Sequence, residues 1–168
     1  MKYLLFISIT FFSCAEILDK KISPNHTIGK IGSDAKVLIN SLNHPTVIHF
    51  WSSWCKSCAH EFPAFNNFSR YAKSQGINVI SIIIDDTEAG IRNVLAAQNL
   101  HHEIYLDNEG TIKETLNILT IPETIFYSFS NGKFIEQDRV EGLQNWGSAE
   151  VLGYLEKIRE QPPMQIPN

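Results

Sequence analysis

The hydrophobic residues of this chain form two kinds of pattern, which predict alternating strands and helices. Two nearly continuous apolar runs, at residues 46–51 and 78–84, are typical of strands buried on both faces of a sheet. In residues 55–74, aromatic side chains recur at every third or fourth position, which predicts a helix with one apolar face. Further helices are predicted over residues 89–99, 111–119 and 146–159.

Three more strands are predicted in the second half of the chain, at residues 103–106, 124–130 and 133–140. Asn131-Gly132 joins the last two, and this dipeptide is typical of a tight β-hairpin turn because both residues tolerate positive φ. Alternating strands and helices that end in a hairpin predict an α/β fold with a mixed central sheet and helices on both faces.

The first folded segment is less regular. Residues 27–31 are expected to form a short edge strand, and residues 34–42 have helix-like spacing after a Gly-Ser-Asp capping signal. We expect one folded domain over residues 27–160, followed by a flexible, proline-rich tail at residues 161–168.

The N-terminus has the pattern of an export signal. In residues 1–13 a single lysine precedes a short apolar run that is too short to span a bilayer. The run stops at Ser13-Cys14, which resembles a bacterial lipoprotein processing site, although Phe11 stands where leucine is usual. Lipidation of Cys14 is therefore expected, with residues 14–26 as a polar spacer; cleavage nearby by signal peptidase I, an uncleaved anchor and a free thiol are the alternatives.

Composition and charge exclude several classes of protein. The 168 residues are 43% hydrophobic and 19% charged, a globular balance rather than a disordered one. Three cysteines are too few for a disulfide-stapled scaffold. A net charge of −4 without a basic stripe argues against a nucleic-acid partner.

Cys55 and Cys58 are the candidate reactive groups. They follow an apolar strand and stand at the predicted start of a helix, where backbone amides and the helix dipole stabilise a thiolate. A static disulfide and half of a zinc site are the structural alternatives, but beyond the adjacent pair His101 and His102 the histidines show no paired ligand spacing. Asp85, Asp86 and Glu88 are assigned to a helix N-terminal turn, and no metal site is predicted.

Four segments resemble the thioredoxin fold, and more closely the TlpA/ResA-like thiol-disulfide oxidoreductases. They are residues 50–58 (Phe-Trp-Ser-Ser-Trp-Cys-Lys-Ser-Cys), 61–63 (Glu-Phe-Pro), the strand at 78–84 with its following helix, and 121–124 (Ile-Pro-Glu-Thr). The third matches the position of an extra βα insert in that family. The resemblance covers about residues 30 to 160, most of the predicted domain.

The resemblance implies roles for individual residues. It implies that Cys55 attacks a disulfide and that Cys58 resolves the mixed disulfide. Glu61 shares a helix face with Cys58 and is expected to accept its proton. In the family the loop at Ile121 and Pro122, with a cis-proline, faces the cysteines and pairs with the substrate chain.

Other residues near the cysteines are expected to adjust the reaction. Trp54 is expected to form an apolar rim for a partner protein. Lys56 and Ser57, between the thiols, are expected to tune the redox potential, and Ser57 departs from the proline of thioredoxin. His49 occupies the strand position of a buried aspartate in thioredoxin; a packed core histidine is expected there, with a proton shuttle as the alternative.

The resemblance implies a reductase of exported client proteins, such as apocytochrome c or metallochaperone thiols. A membrane thiol donor is expected to recharge it, no cofactor is needed, and a monomer is expected. The alternatives are a disulfide-forming oxidase and a copper-binding assembly factor that uses the same cysteines. A peroxidase is not predicted, because no separate peroxidatic cysteine is present.

Overall fold

A computed structural model describes residues 27–31, 36–38 and 42–159 of the chain. Within these ranges strands and helices alternate, which confirms the predicted α/β fold. The elements are β1 (Thr27–Lys30), β2 (Lys36–Leu38), β3 (Thr46–Trp51), α1 (Lys56–Ser74), β4 (Asn78–Ile83), α2 (Glu88–Ala97), β5 (Glu103–Leu106), α3 (Thr111–Leu116), β6 (Glu123–Ser130), β7 (Lys133–Glu141) and α4 (Ala149–Arg159).

The described strands form one mixed sheet in the order β2-β1-β5-β4-β3-β6-β7. Strands β3, β4 and β5 are parallel, because helices α1 and α2 carry the chain back between them. The outer strands β1, β2, β6 and β7 pair antiparallel. The two apolar runs of the sequence, β3 and β4, therefore lie side by side in the middle of the sheet.

Both faces of the sheet are covered by helices, as predicted. Consecutive side chains of a strand point to opposite faces of the sheet, so β3 contributes to the packing on both sides. Val47 packs with residues of α1 and α4, and Trp51 packs with residues of α1 and α2. Ile48 and Phe50 pack on the other side with residues of α3. The end of β3 is thus buried on both faces, and it holds the following turn in a fixed place.

Two predictions for the first segment are wrong. The helix predicted over residues 34–42 is not formed at Lys36–Leu38, which are strand β2. Pairing of this backbone with β1 outweighs the local helix-like spacing, which is a weak determinant in a short segment. The strand at Thr27–Lys30 is confirmed, but it lies between β2 and β5 rather than at the edge of the sheet.

The predicted hairpin is confirmed. Asn131 and Gly132 have φ angles of 51° and 73°, and they join β6 to β7. The predicted signal, Cys14, the spacer and the C-terminal tail lie outside the described residues. Within the described ranges, no helix has both the length and the apolar character needed to cross a membrane.

Candidate active site

Strand β3 delivers the two cysteines to the start of helix α1. A hydrogen bond of 3.1 Å from the Cys55 amide to the Ser52 carbonyl closes the turn between strand and helix. Cys55 is the N-cap of α1, and its Sγ accepts a hydrogen bond of 3.1 Å from the Cys58 amide. Ser57 Oγ lies 3.3 Å from the same sulfur. These donors and the helix dipole favour a negatively charged sulfur at Cys55 once the pair is reduced.

Cys55 and Cys58 form a disulfide, with their Cα atoms 5.3 Å apart. Cys55 retains 6% of its surface in contact with solvent, whereas Cys58 retains none. Trp51 and Phe62 pack around the pair. Of the two sulfur-bearing residues, Cys55 is therefore the one that a group on another protein can approach.

The loop between β4 and α2 holds the active-site turn from the side. Asp86 accepts hydrogen bonds from both the amide and the hydroxyl group of Ser53. The indole Nε1 of Trp54 donates a hydrogen bond of 2.9 Å to the Asp85 carbonyl. The sequence analysis did not find this role of Asp86, because the contact joins segments 33 residues apart and no local pattern marks it.

Gly90, in the first turn of α2, lies against Ser53 of the active-site turn. A Cβ atom at this position would lie 2.1 Å from Ser53 Oγ and 2.9 Å from Asp86 Oδ1. Ser53 cannot move aside without losing its 2.6 Å hydrogen bond to Asp86. The first turn of α2 therefore requires glycine for reasons of space.

We expect Gly90→Ala to lower the free energy of unfolding by about 1–2 kcal/mol, as overpacking does. The control is Gly153→Ala in α4, where a Cβ would meet nothing within 4 Å. That change should stabilise the protein by about 1 kcal/mol, because alanine is the better helix former. Urea unfolding curves measure both, and equal stabilities for the two variants would contradict the close approach at Gly90.

Glu61 is a buried acid one helical turn beyond Cys58. Its side chain is 2% exposed, and one of its oxygens, Oε2, accepts hydrogen bonds from Trp146 Nε1 at 2.9 Å and from the Gln144 amide at 3.3 Å. Burial raises the pKa of Glu61 to about 7, although both hydrogen bonds act in the opposite direction. Glu61 can therefore change its charge near neutral pH.

His49 lies on the central strand β3 beside Glu61. Its Nδ1 is 2.8 Å from Thr124 Oγ1, and its Nε2 is 3.5 Å from Glu61 Oε1. The ring stacks on Phe65 with centroids 4.3 Å apart. Burial, and next the nearby His102, lower the pKa of His49 to about 3, so the ring is neutral at physiological pH. The expected core histidine is therefore present, and it faces the candidate proton acceptor.

The loop before β6 forms another side of the site. The Ile121–Pro122 peptide bond is cis, and Ile121 packs against the cluster that contains both cysteines. Three large apolar side chains are exposed in the segments around the site: Trp54, next to Cys55, is 62% exposed, Leu119 is 79% exposed and Leu143 is 53% exposed.

Two residues that hold Glu61 were missed by the sequence analysis as members of the site. Trp146 was placed at the start of the last helix, but α4 begins at Ala149 and Trp146 lies in the preceding segment. This position lets its indole reach Glu61 across 85 residues of sequence. Gln144 contributes only its backbone amide, so no side-chain pattern could have identified it.

In the part of the chain that is described, the acidic side chains beside the active-site turn bind neighbouring residues. No group of three or more His, Cys, Asp or Glu side chains is placed there to hold an ion. Asp86 instead binds Ser53, and Asp85 forms an ion pair with Lys113.

Residues 26–132 match the model of the AhpC/TSA family. The chain is also 27% identical over 149 residues to the thiol-disulfide oxidoreductase ResA of Bacillus cereus, a match that covers 88% of this chain and 83% of ResA. These similarities extend well beyond the cysteine motif.

Solved structures show the same fold. StoA of Bacillus subtilis superposes with a TM-score of 0.63 at 23% identity, over 78% of this chain and 95% of StoA. The exposed lipoprotein thioredoxin Etrx1 of Streptococcus pneumoniae gives a TM-score of 0.63 at 16% identity, over 79% of this chain and 98% of Etrx1. The described part of the chain therefore has a thioredoxin-like fold.

Proposed function

Because this chain belongs to the AhpC/TSA family, and within it is a thiol-disulfide oxidoreductase of the TlpA/ResA type, we propose that it reduces disulfides of exported client proteins. Its clients bear disulfides or thiols, and apocytochrome c and metallochaperones are the proposed examples. A membrane thiol donor returns the electrons, and the protein acts as a monomer without a cofactor.

In the proposed reaction the reduced dithiol supplies both electrons. The Cys55 thiolate attacks one sulfur of the client disulfide, and the other client sulfur leaves as a thiolate. Cys58 then attacks the sulfur of Cys55 in the mixed disulfide. The second client thiolate leaves, and the Cys55–Cys58 disulfide forms. Glu61 accepts the proton that Cys58 loses in this second step.

The observation that carries the proposal is the buried carboxyl group of Glu61 behind Cys58. Glu61 and Cys58 are three residues apart on α1, so their Cβ atoms are about 5–6 Å apart. Both side chains are buried. A proton acceptor with a pKa of about 7 is matched to a resolving thiol at neutral pH. A disulfide kept only for stability has no need of a buried acid.

The same carboxylate supports the reducing direction. A negative charge near Cys58 disfavours a thiolate, and it therefore destabilises the reduced dithiol relative to the disulfide. Strong oxidants of this fold do the opposite, because they stabilise their reduced form. The helix amides and Ser57 at Cys55 act against this effect, and Lys56 and Ser57 are proposed to set the balance.

Equilibration with a glutathione or dithiothreitol redox buffer measures the reduction potential. We expect a value of about −270 mV, that of a reductant, rather than about −120 mV, that of a disulfide-forming oxidase. Glu61→Gln should raise the potential, because it removes the negative charge. The control is Asp138→Asn, which also replaces a carboxylate by its isosteric amide. Asp138 pairs with Lys157 in the later part of the chain, so this change should leave the reduction potential unchanged. A reduction potential of about −120 mV for the wild-type protein would establish a disulfide-forming oxidase instead.

The apolar residues around Cys55 are proposed to receive the client chain. Trp54 offers an exposed ring beside the attacking sulfur, and Ile121 packs against the cysteine cluster. The backbone before Pro122 is proposed to pair with an extended client segment. This arrangement would bring a client cysteine to Cys55 without requiring a deep cavity.

The proposed location is the extracytoplasmic face of a membrane, with the domain at residues 27–160 tethered through a lipid on Cys14. The apolar run in residues 1–13 supports export, and the lipoprotein Etrx1 of Streptococcus pneumoniae provides a structural parallel. Cys14→Ser should abolish incorporation of radiolabelled palmitate and release the protein from the membrane fraction. Unchanged labelling in that variant would place the lipid elsewhere.

A further inference from the structure

Two buried polar atoms in the core face each other without a hydrogen-bond partner. They are His49 Nε2 and Glu61 Oε1, and they lie 3.5 Å apart. Both side chains are at most 2% exposed, so no bulk solvent replaces the missing bond. A small approach of the two groups would satisfy both atoms, provided that one proton lies between them.

We propose that His49 is a positioning residue for the dithiol reaction: its ring shares one proton with the Glu61 carboxyl group and changes tautomer when that group ionises. This inference rests on the proposed role of Glu61 as the proton acceptor for Cys58. It assigns to the central strand a function that the cysteine motif alone does not require.

The hydrogen bonds of the ring permit two neutral forms. When Glu61 is protonated, its Oε1–H donates to a bare Nε2, and Nδ1–H of His49 donates to Thr124 Oγ1. When Glu61 is ionised, Nε2–H donates to Oε1, and the Thr124 hydroxyl donates to a bare Nδ1. The 2.8 Å contact with Thr124 serves both forms, because a hydroxyl group can donate or accept. On ionisation the Oε1 proton passes to Nε2 and the Nδ1 proton is released, to solvent in a pH titration, so the site loses one proton and the ring keeps one on the other nitrogen.

The charged surroundings allow this exchange without a charge on the ring. Cys58 is on α1 with Glu61, and it does not titrate while it is in the disulfide. His102, just before β5, is the titratable group outside α1 that acts on His49, and β4 lies between β5 and the strand of His49. Burial lowers the pKa of His102 to about 4, so both histidines are neutral where Glu61 titrates.

The consequence for the reaction is a carboxyl group with a partner in both of its states. The Trp146 and Gln144 donors hold Oε2 of Glu61, and the ring of His49 holds Oε1. Glu61 therefore keeps its orientation when it takes a proton from Cys58 and when it releases that proton. An apolar residue at position 49 would leave the ionised carboxylate with an unpaired oxygen, which disfavours ionisation.

The ring tautomer can be observed directly in the disulfide form of the full protein. We would label histidine with nitrogen-15 and record two-bond proton–nitrogen correlation spectra across a pH titration centred on about pH 7. Carbon-13 spectra of the glutamate carboxyl groups follow Glu61 in the same samples. As the pH rises, the ring proton of His49 should move from Nδ1 to Nε2, with the same midpoint as the ionisation of the Glu61 carboxyl group. A single tautomer throughout, or a doubly protonated ring at that pH, would overturn the proposal.

A pair of variants tests the effect on Glu61. His49→Leu should raise the titration midpoint of the Glu61 carboxyl group by about one pH unit, because the ionised form loses a donor. His49→Gln should largely restore it, since an amide can donate to or accept from Oε1. Equal midpoints in wild type and His49→Leu would overturn the proposal. No client or redox partner enters these titrations. The His49 proposal can therefore fail while the reductase assignment holds, and the reductase assignment can fail while the His49 proposal holds.

Discussion

Glu61→Gln is expected to slow resolution of the mixed disulfide by about 10²-fold at pH 7 and to make the folded protein more stable at that pH and above it. The kinetic effect follows from the loss of the proton acceptor behind Cys58. In wild type the rate should rise with pH through about 7, the pKa of Glu61. In the variant it should rise only as the thiol itself ionises, towards about pH 8.5.

The stability effect follows from the difference in the pKa of Glu61 between the two states. Its pKa is about 7 in the folded protein against a reference of 4.5, so between these values the folded state binds more protons than the unfolded state. Stability therefore falls as the pH rises through this window. Glutamine resembles the protonated acid, because its oxygen can still accept from Trp146 and Gln144.

We expect the variant to gain about 3 kcal/mol in free energy of unfolding at pH 8 and almost nothing below pH 4.5. Urea unfolding at several pH values measures the gain, and stopped-flow mixing of a preformed mixed disulfide measures the rate. Glu156→Gln, at an exposed position of α4, is the matched control and should change neither quantity. If Glu61→Gln resolved the mixed disulfide as fast as the wild type and with the same pH dependence, Glu61 would have no part in the reaction.

The parts of the fold that the sequence predicted are those with strong local signals. The strands Thr46–Trp51 and Glu103–Leu106 have the predicted bounds, because apolar runs and turn residues delimit them. Asn131 and Gly132 favour a tight hairpin turn by their own backbone preferences, independently of the rest of the chain. The position of Cys55 at a strand-to-helix junction belongs to the same class of local information.

The support of the site depends on contacts between distant segments, which a single sequence does not reveal. Asp86 reaches Ser53 across 33 residues, and Trp146 reaches Glu61 across 85 residues. In each case the residue type alone has an ordinary local explanation, as a loop acid or as an apolar helix position. The sequence therefore indicated the reacting groups better than the groups that hold them in place.

The burial of Glu61 had the least support from local pattern. A glutamate on a helix is usually exposed, and only its spacing from Cys58 and the resemblance of residues 61–63 to the family suggested a role. The structure shows two donors, Trp146 Nε1 and the Gln144 amide, on one oxygen of the carboxyl group, and His49 Nε2 lies 3.5 Å from the other oxygen. A buried acid needs such partners on several elements at once, so its environment becomes evident only when the sheet and the helices are assembled.

Cys58→Ser is expected to abolish turnover and to accumulate a covalent adduct between Cys55 and the client. The first attack needs only the sulfur of Cys55, and release of the client needs the sulfur of Cys58. Serine at position 58 can replace the buried thiol with little change in volume. The adduct should disappear with dithiothreitol, because a disulfide is its only covalent link.

Cys55→Ser should also abolish turnover but should accumulate no adduct, since Cys58 is fully buried and cannot reach a client. The pair of variants therefore separates attack from resolution, which loss of activity alone does not. Non-reducing gels after incubation of each reduced variant with oxidised insulin measure the adducts in solution. The same variants expressed in cells, followed by mass spectrometry of the trapped species, identify clients. An adduct on Cys55→Ser and none on Cys58→Ser would reverse the roles of the two cysteines, and equal adducts on both would contradict a division of roles. Adducts on neither would refute the proposed exchange with proteins.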